Sequence, residues 1–234
     1  MLRAYLYLAI FIPLTFLFSV SAFVSTLFDG SGRLYARHAR LWARLSLGLA
    51  GVRVTISGAE NIPDKPVIFM SNHQSSFDIL ALLAAMPRQI HWIAKKELFE
   101  IPFFGPSMKR GGYIPLDRGD GRKALQSMDE AAAAIRQGKS VVMFPEGTRT
   151  EDGSLLPFKR GGFILARKAA VPVIPVTING SGRINPANQI RLYSGDIRII
   201  LHPPVNVPGD LRRSEAEGWM MDSVRDSIES ALEH

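Results

Sequence analysis

The chain has 234 residues, carries a net charge of +7 and contains no cysteine. That length suits one sizeable α/β domain with a small appendage, and the 47% hydrophobic content excludes a disordered chain. The missing cysteines exclude disulfides, thiolate nucleophiles and cysteine-bound zinc, while the positive charge calls for an anionic partner: a membrane, a phosphorylated substrate or nucleic acid.

Residues 4–28, AYLYLAIFIPLTFLFSVSAFVSTLF, carry no charge. As a helix they are long enough for a bilayer core of ~30 Å, and Pro13 kinks but does not forbid it. A secretory signal is the competing reading, because Val20–Ala22 resembles a small-residue cleavage site. Only Arg3 precedes the run, whereas Arg33, Arg37, Arg40, Arg44 and Arg53 follow it with no acid after Asp29. This bias places the downstream chain in the cytoplasm. The next stretch has arginines at helical spacing and an apolar stripe of Leu34, Leu41, Leu45 and Leu49. An arginine-rich amphipathic helix suits an anionic membrane surface; the alternative is a surface helix packed on the domain. Whether residues 4–28 span the bilayer or lie in one leaflet stays open.

After Gly51 short β-rich runs alternate with helical patterns. Strands are predicted at 52–57, 66–72, 90–96, 113–117, 140–146, 171–178 and, as an edge strand, 196–207. Helices are predicted at 76–86, 121–138, 159–170 and from 214 to the end. The fold class is therefore α/β: a mixed, largely buried β-sheet flanked by helices, with an N-terminal hydrophobic and amphipathic two-helix membrane-binding segment. The division is residues 1–50 for the membrane-associating helices and 51–234 for the α/β domain.

Four polar clusters fall at predicted strand ends, where open α/β sheets bind ligands. In SNHQSSFDIL, His73 lies in a strand-to-helix loop and Asp78 in the first helical turn. Ser75 and Asp78 have capping-box spacing, so Asp78 reads as a helix-start acid. It also reads as the orienter of a basic His73, fixing its tautomer and stabilising the imidazolium. In FPEGTRT, Gly147 permits close backbone approach, and Glu146, Thr148 and Arg149 offer an acceptor, a hydroxyl and a guanidinium fork. A polar turn with an internal Glu146–Arg149 pair is the plainer alternative. Arg118 follows another strand, Lys159 and Arg160 precede a helix whose N-terminus favours anions, and Lys95 and Lys96 add charge. Singly these cations read as solvated surface; together they suit a phosphate-bearing substrate. The histidines lack acidic companions at metal-ligand spacing.

These stretches resemble the glycerolipid acyltransferase family. NHQSSFD looks like its N-H-x4-D block, YIPLDR its second block, FPEGTRT its third with Thr150 where serine is commoner, and VPVIPV its fourth, all in family order. Pro115–Leu116 departs from the second block. The nearest branch is the bacterial 1-acyl-sn-glycerol-3-phosphate acyltransferases. The resemblance implies acyl transfer from a thioester, carried by acyl carrier protein or coenzyme A, to the 2-hydroxyl of lysophosphatidic acid, with phosphatidic acid as product. It implies catalysis by His73 as general base and Asp78 as its holder. Arg118, Arg149 and Lys159 would meet the phosphate, and Glu146, Gly147 and Thr148 would shape the acceptor pocket. No cofactor beyond the acyl thioester and no metal is implied. A membrane phospholipid surface is the expected partner, no nucleic acid is, and the expected location is the cytoplasmic (inner) membrane with the site facing the cytoplasm. Trp92, Phe99, Phe103 and Phe104 are candidates for an acyl-chain wall. The rivals are transfer to glycerol-3-phosphate or a lyso-ornithine lipid, a non-catalytic basic membrane scaffold, and a nucleic-acid binder.

Overall fold

The computed structural model describes residues 1–117, 121–207, 209 and 211–233. Helices α1 (Leu2–Ser25) and α2 (Arg33–Leu49) lead into β1 (Val52–Ser57). Then come β2 (Ile68–Ser71), α3 (Phe77–Ala85), β3 (His91–Lys95), α4 (Phe104–Arg110), β4 (Ile114–Leu116) and α5 (Gly121–Arg136). They are followed by β5 (Val141–Met143), α6 (Gly161–Ala169), β6 (Val173–Asn179), the single turn α7 (Ser181–Ile184), β7 (Gly195–Leu201) and α8 (Arg213–Glu229).

The seven strands form one sheet in the order β1-β7-β6-β2-β5-β3-β4, parallel throughout except for the β6–β7 pair. Helices cover both faces, so β2 in the middle is apolar at successive positions rather than alternately. Its side chains still alternate in direction. Phe69 meets the core shared with α1–α4, whereas Ile68 and Met70 meet the core shared with α5, α6 and α8. Close approach of α6 to the sheet explains one of its two early glycines: a Cβ on Gly162 would lie 2.9 Å from Met143 Sδ.

The last strand departs from its sequence reading. It ends at Leu201, and only Val205 bridges back to Val173 beyond it. Pro203 and Pro204 supply no N–H to continue the ladder. Nor is it an edge: β7 pairs with β1 on one side and β6 on the other, leaving β1 and β4 at the margins.

Helix α1 is tied to the domain along its length. Arg3 donates to the Ala50 carbonyl at 2.7 Å, Tyr7 packs on Phe77, Thr15 accepts from the Trp42 indole at 3.0 Å, and Phe23 lies under Arg110. Its other face is bare, with Leu6, Ile10, Phe16 and Leu17 each more than half exposed. On α2 the apolar stripe does not face the core. Leu41, Leu45 and Leu49 point outward, while Tyr35, Ala43 and Leu47 are buried.

Candidate active site

The His73 loop hangs from the C-terminal end of β2. Asn72 anchors it by imitating a strand residue: its side-chain amide donates to the Ile178 carbonyl at 2.8 Å, and its Oδ1 accepts the Ile178 N–H at 2.7 Å. The next residue, His73, therefore leaves the sheet in a fixed direction. Its ring lies flat on Phe144, with centroids 3.7 Å apart, and Phe144 in turn stacks on Trp92.

Asp78, in the first turn of α3, is fully buried and 2.7 Å from His73 Nδ1. The same Oδ2 accepts the N–H groups of Gln74 at 2.8 Å and Ser75 at 2.9 Å. Three donors converge on one oxygen, so the carboxylate holds both the loop backbone and the imidazole. His73 Nδ1 thus carries the proton and Nε2 is left to accept one. Half of the expected capping box is present: Asp78 reaches back to Ser75 N–H, while Ser75 Oγ takes the N–H of Phe77 at 3.2 Å rather than that of Asp78.

Glu146 is placed differently from its sequence reading. It is 2% exposed and does not line the cleft. One oxygen accepts the His73 N–H at 2.7 Å, the other the Leu156 N–H at 2.9 Å. Burial pushes its carboxyl up to about 7, against the pull of these two N–H donors. No Glu146–Arg149 pair forms. Arg149 instead donates to Ser76 Oγ at 2.8 Å. A further tie runs from the Thr150 N–H to the His73 carbonyl at 2.9 Å, so the FPEGTRT turn is zipped to the histidine loop.

Gly147 adopts a φ of +73° beside His73, and a Cβ there would lie 2.8 Å from Lys159 Nζ. The structure thus brings Gly147 and Lys159 together. Thr148 is exposed, and Arg149 turns to the other side of the loop. Arg118 lies outside the described residues. Lys96 is paired with Asp117 at 2.8 Å, whereas Lys95 borders the cavity.

His73, Gly147 and Lys95 stand at one end of an apolar cavity of about 270 Å³. It runs along the sheet face under α1 and α2 to Met108 and Tyr113. Tyr113 precedes β4, so the cavity passes from the C-terminal to the N-terminal edge of the parallel strands, about 16 Å for a five-residue strand such as β3. Of the four aromatic wall candidates, Trp92 and Phe104 line it. Phe103 is instead half-exposed against Phe16, and Phe99 is absent from the lining. Among the described residues no three histidine or acidic side chains could hold a metal ion.

A sequence model of the Acyltransferase family matches residues 53–179, more than half of the chain and all of the loops just described. The chain belongs to the acyltransferase family. It is 38% identical over 190 residues to a chloroplastic 1-acyl-sn-glycerol-3-phosphate acyltransferase of Brassica napus, covering 80% of this chain and 55% of that one. It is 31% identical over 194 residues to the 1-acyl-sn-glycerol-3-phosphate acyltransferase of Pseudomonas aeruginosa, covering 78% of this chain and 75% of that one. The chain spans about half the length of the plant plastid relatives. Its fold matches the crystal structure of the 1-acyl-sn-glycerophosphate acyltransferase PlsC from Thermotoga maritima, with a TM-score of 0.81, 26% identity, and coverage of 98% of this chain and 96% of that one.

Three contributions in this acyltransferase escaped sequence reasoning. Phe144 supplies the surface under the histidine, Asn72 pins the loop to β6, and Glu146 is a clamp. The signal for each was present, since Phe144 and Glu146 fall within the FPEGTRT block and Asn72 begins the NHQSSFD block. Phe144 and Glu146 meet His73, and Asn72 meets Ile178, across more than 70 residues of chain, which no local pattern reveals.

Proposed function

We propose that this acyltransferase moves a fatty acyl group from a thioester to the 2-hydroxyl of lysophosphatidic acid, giving phosphatidic acid. The observation that carries the reading is the His73–Asp78 pair, with His73 lining an apolar cavity beneath α1 and α2. The names of the plant, bacterial and solved relatives point to the same acceptor.

His73 Nε2 takes the hydroxyl proton as the oxygen attacks the thioester carbonyl. Asp78 meets the resulting imidazolium with a buried negative charge. The tetrahedral intermediate then collapses, the C–S bond breaks, and the imidazolium returns its proton to the departing thiolate. A positioned base of this kind contributes about 10²–10⁴-fold. The acceptor is itself the nucleophile, so no acyl-enzyme is needed. The donor chain lies in the cavity beneath α1 and α2. Arg118, with Arg149 and Lys159 as supporting cations, supplies charge for the acceptor phosphate, as the family resemblance implies. The donor is an acyl carrier protein or coenzyme A thioester.

The outward leucines of α2 and the bare face of α1 rest in the cytoplasmic leaflet, with the arginines of α2 at the headgroups. The contacts along the whole of α1 favour lying in one leaflet over crossing the bilayer. The acceptor then reaches His73 laterally, without its chain passing through water.

Purified protein in anionic vesicles, given an acyl thioester and a panel of lysophosphatidic acid, glycerol-3-phosphate and lyso-ornithine lipid, tests this by mass spectrometry. The expected product is phosphatidic acid carrying the new chain at the 2-position. Faster acylation of either other acceptor would refute the assignment.

A further inference from the structure

A second hollow, of about 470 Å³, lies on the other side of the catalytic loop. Tyr7, Leu8 and Phe11 of α1 form one wall, Phe77 and Leu80 of α3 its floor, and the segment 185–192 the opposite side. Two side chains, Trp42 and Ile79, line both this groove and the cavity that starts at His73. They form the partition between two apolar spaces.

The groove is not apolar throughout. Ser76 and Arg149 stand in its lining next to the histidine loop, and Arg191 lies on the segment across from α3. No carboxylate lines it among the described residues, and neither arginine forms an ion pair among them. Arg149 is held by a single hydrogen bond to Ser76 Oγ, which leaves most of its guanidinium donors unused. Two cations over an apolar trough are complementary to an amphiphile with one anionic head and one hydrocarbon tail. One wall belongs to α1, whose outer face is the exposed apolar surface, so such a molecule can arrive from lipid.

We propose that this groove holds the acyl chain of the single-chain phospholipid acceptor, with Arg191 joining Arg149 at its phosphate. Trp42 and Ile79 keep that chain apart from the donor's. This rests on the acyltransferase reading above and extends it: the two chains occupy separate compartments on either side of the His73 loop.

The test uses the full chain in vesicles and a lysophosphatidic acid bearing a photoreactive diazirine at its chain terminus. Labelling is expected on residues 4–11 and 185–192, and to be competed by unlabelled lysophosphatidic acid but not by phosphatidylglycerol. Labels on Phe18 or Met108 of the other cavity, or competition by phosphatidylglycerol alone, would overturn the proposal. A second measurement is kinetic. Ile190 is 53% exposed, so Ile190→Trp narrows the groove without disturbing the core. It should lower kcat/KM for a palmitoyl acceptor about tenfold more than for a butanoyl one. An unchanged ratio overturns the groove. Wild-type protein inactive toward both acceptors overturns the underlying activity instead.

Discussion

Replacing Asp78 by asparagine separates what that side chain does with its shape from what it does with its charge. Oδ2 accepts all three hydrogen bonds, from His73 Nδ1 and from the N–H groups of Gln74 and Ser75, whereas Oδ1 is buried with no partner. An asparagine oxygen in the place of Oδ2 keeps the loop and the tautomer, and its amide nitrogen falls where no bond existed. The loss is therefore confined to electrostatics. Imidazolium and carboxylate charges about 4 Å apart attract by about 4 kcal/mol at the effective dielectric of ~20 suited to such sites. Neutral imidazole in the ground state gains little of this, so the difference falls on the barrier. Because each 1.36 kcal/mol is tenfold in rate, kcat should fall by about 10²–10³. Steady-state kinetics with a thioester and lysophosphatidic acid, beside near-ultraviolet circular dichroism for folding, provides the assay. A folded Asp78→Asn protein that keeps more than a tenth of kcat would refute the charge argument.

Glu146→Gln puts an amide donor against one of two backbone N–H donors. It should cost about 1–3 kcal/mol of unfolding free energy, with kcat reduced more than KM, as urea unfolding and kinetics will show. Burial raises the folded-state pKa of Glu146 from 4.5 to about 7. The folded protein thus holds a proton that the unfolded chain has lost, and the stability from Glu146 declines as pH rises between those values. Urea midpoints from pH 5 to 8 should show wild type losing stability relative to Glu146→Gln; parallel curves would contradict this. Gly147→Ala strains a residue at φ +73° by about 1–2 kcal/mol and pushes Lys159 aside. Thermal unfolding and the KM for the acceptor should both register it. Changing the exposed Leu41, Leu45 and Leu49 to glutamine should weaken flotation with anionic vesicles while leaving the melting temperature nearly unchanged. Undiminished flotation would remove α2 from the membrane contact.

Local spacing made part of this site legible. A histidine in a strand-to-helix loop, with an acid in the first turn of that helix, can hardly avoid meeting it, and His73 and Asp78 do meet. The continuous apolar run of β2 likewise announced a strand covered on both faces. What stayed hidden depends on strand order. Glu146 reaches the His73 N–H only because β5 is laid beside β2, a pairing that no periodicity encodes. The position of β7 was hidden for the same reason: its own residues say strand, but its inner place follows from β1 pairing at its far side. The leucine stripe of α2 was visible as a stripe, yet periodicity does not say which medium it faces. That is decided by Tyr35, Ala43 and Leu47 taking the core. The two hollows beneath α1 exist only once that helix is tied down by contacts such as that from Arg3 to Ala50, 47 residues away.

The central claim is that His73 removes the acceptor's hydroxyl proton. The direct measurement is single-turnover acyl transfer by wild type and by His73→Ala, with product identified by mass spectrometry and folding checked by circular dichroism. The account expects phosphatidic acid from wild type and a rate about 10²–10⁴-fold lower from the folded variant. A folded His73→Ala protein retaining more than a tenth of the wild-type rate would contradict it.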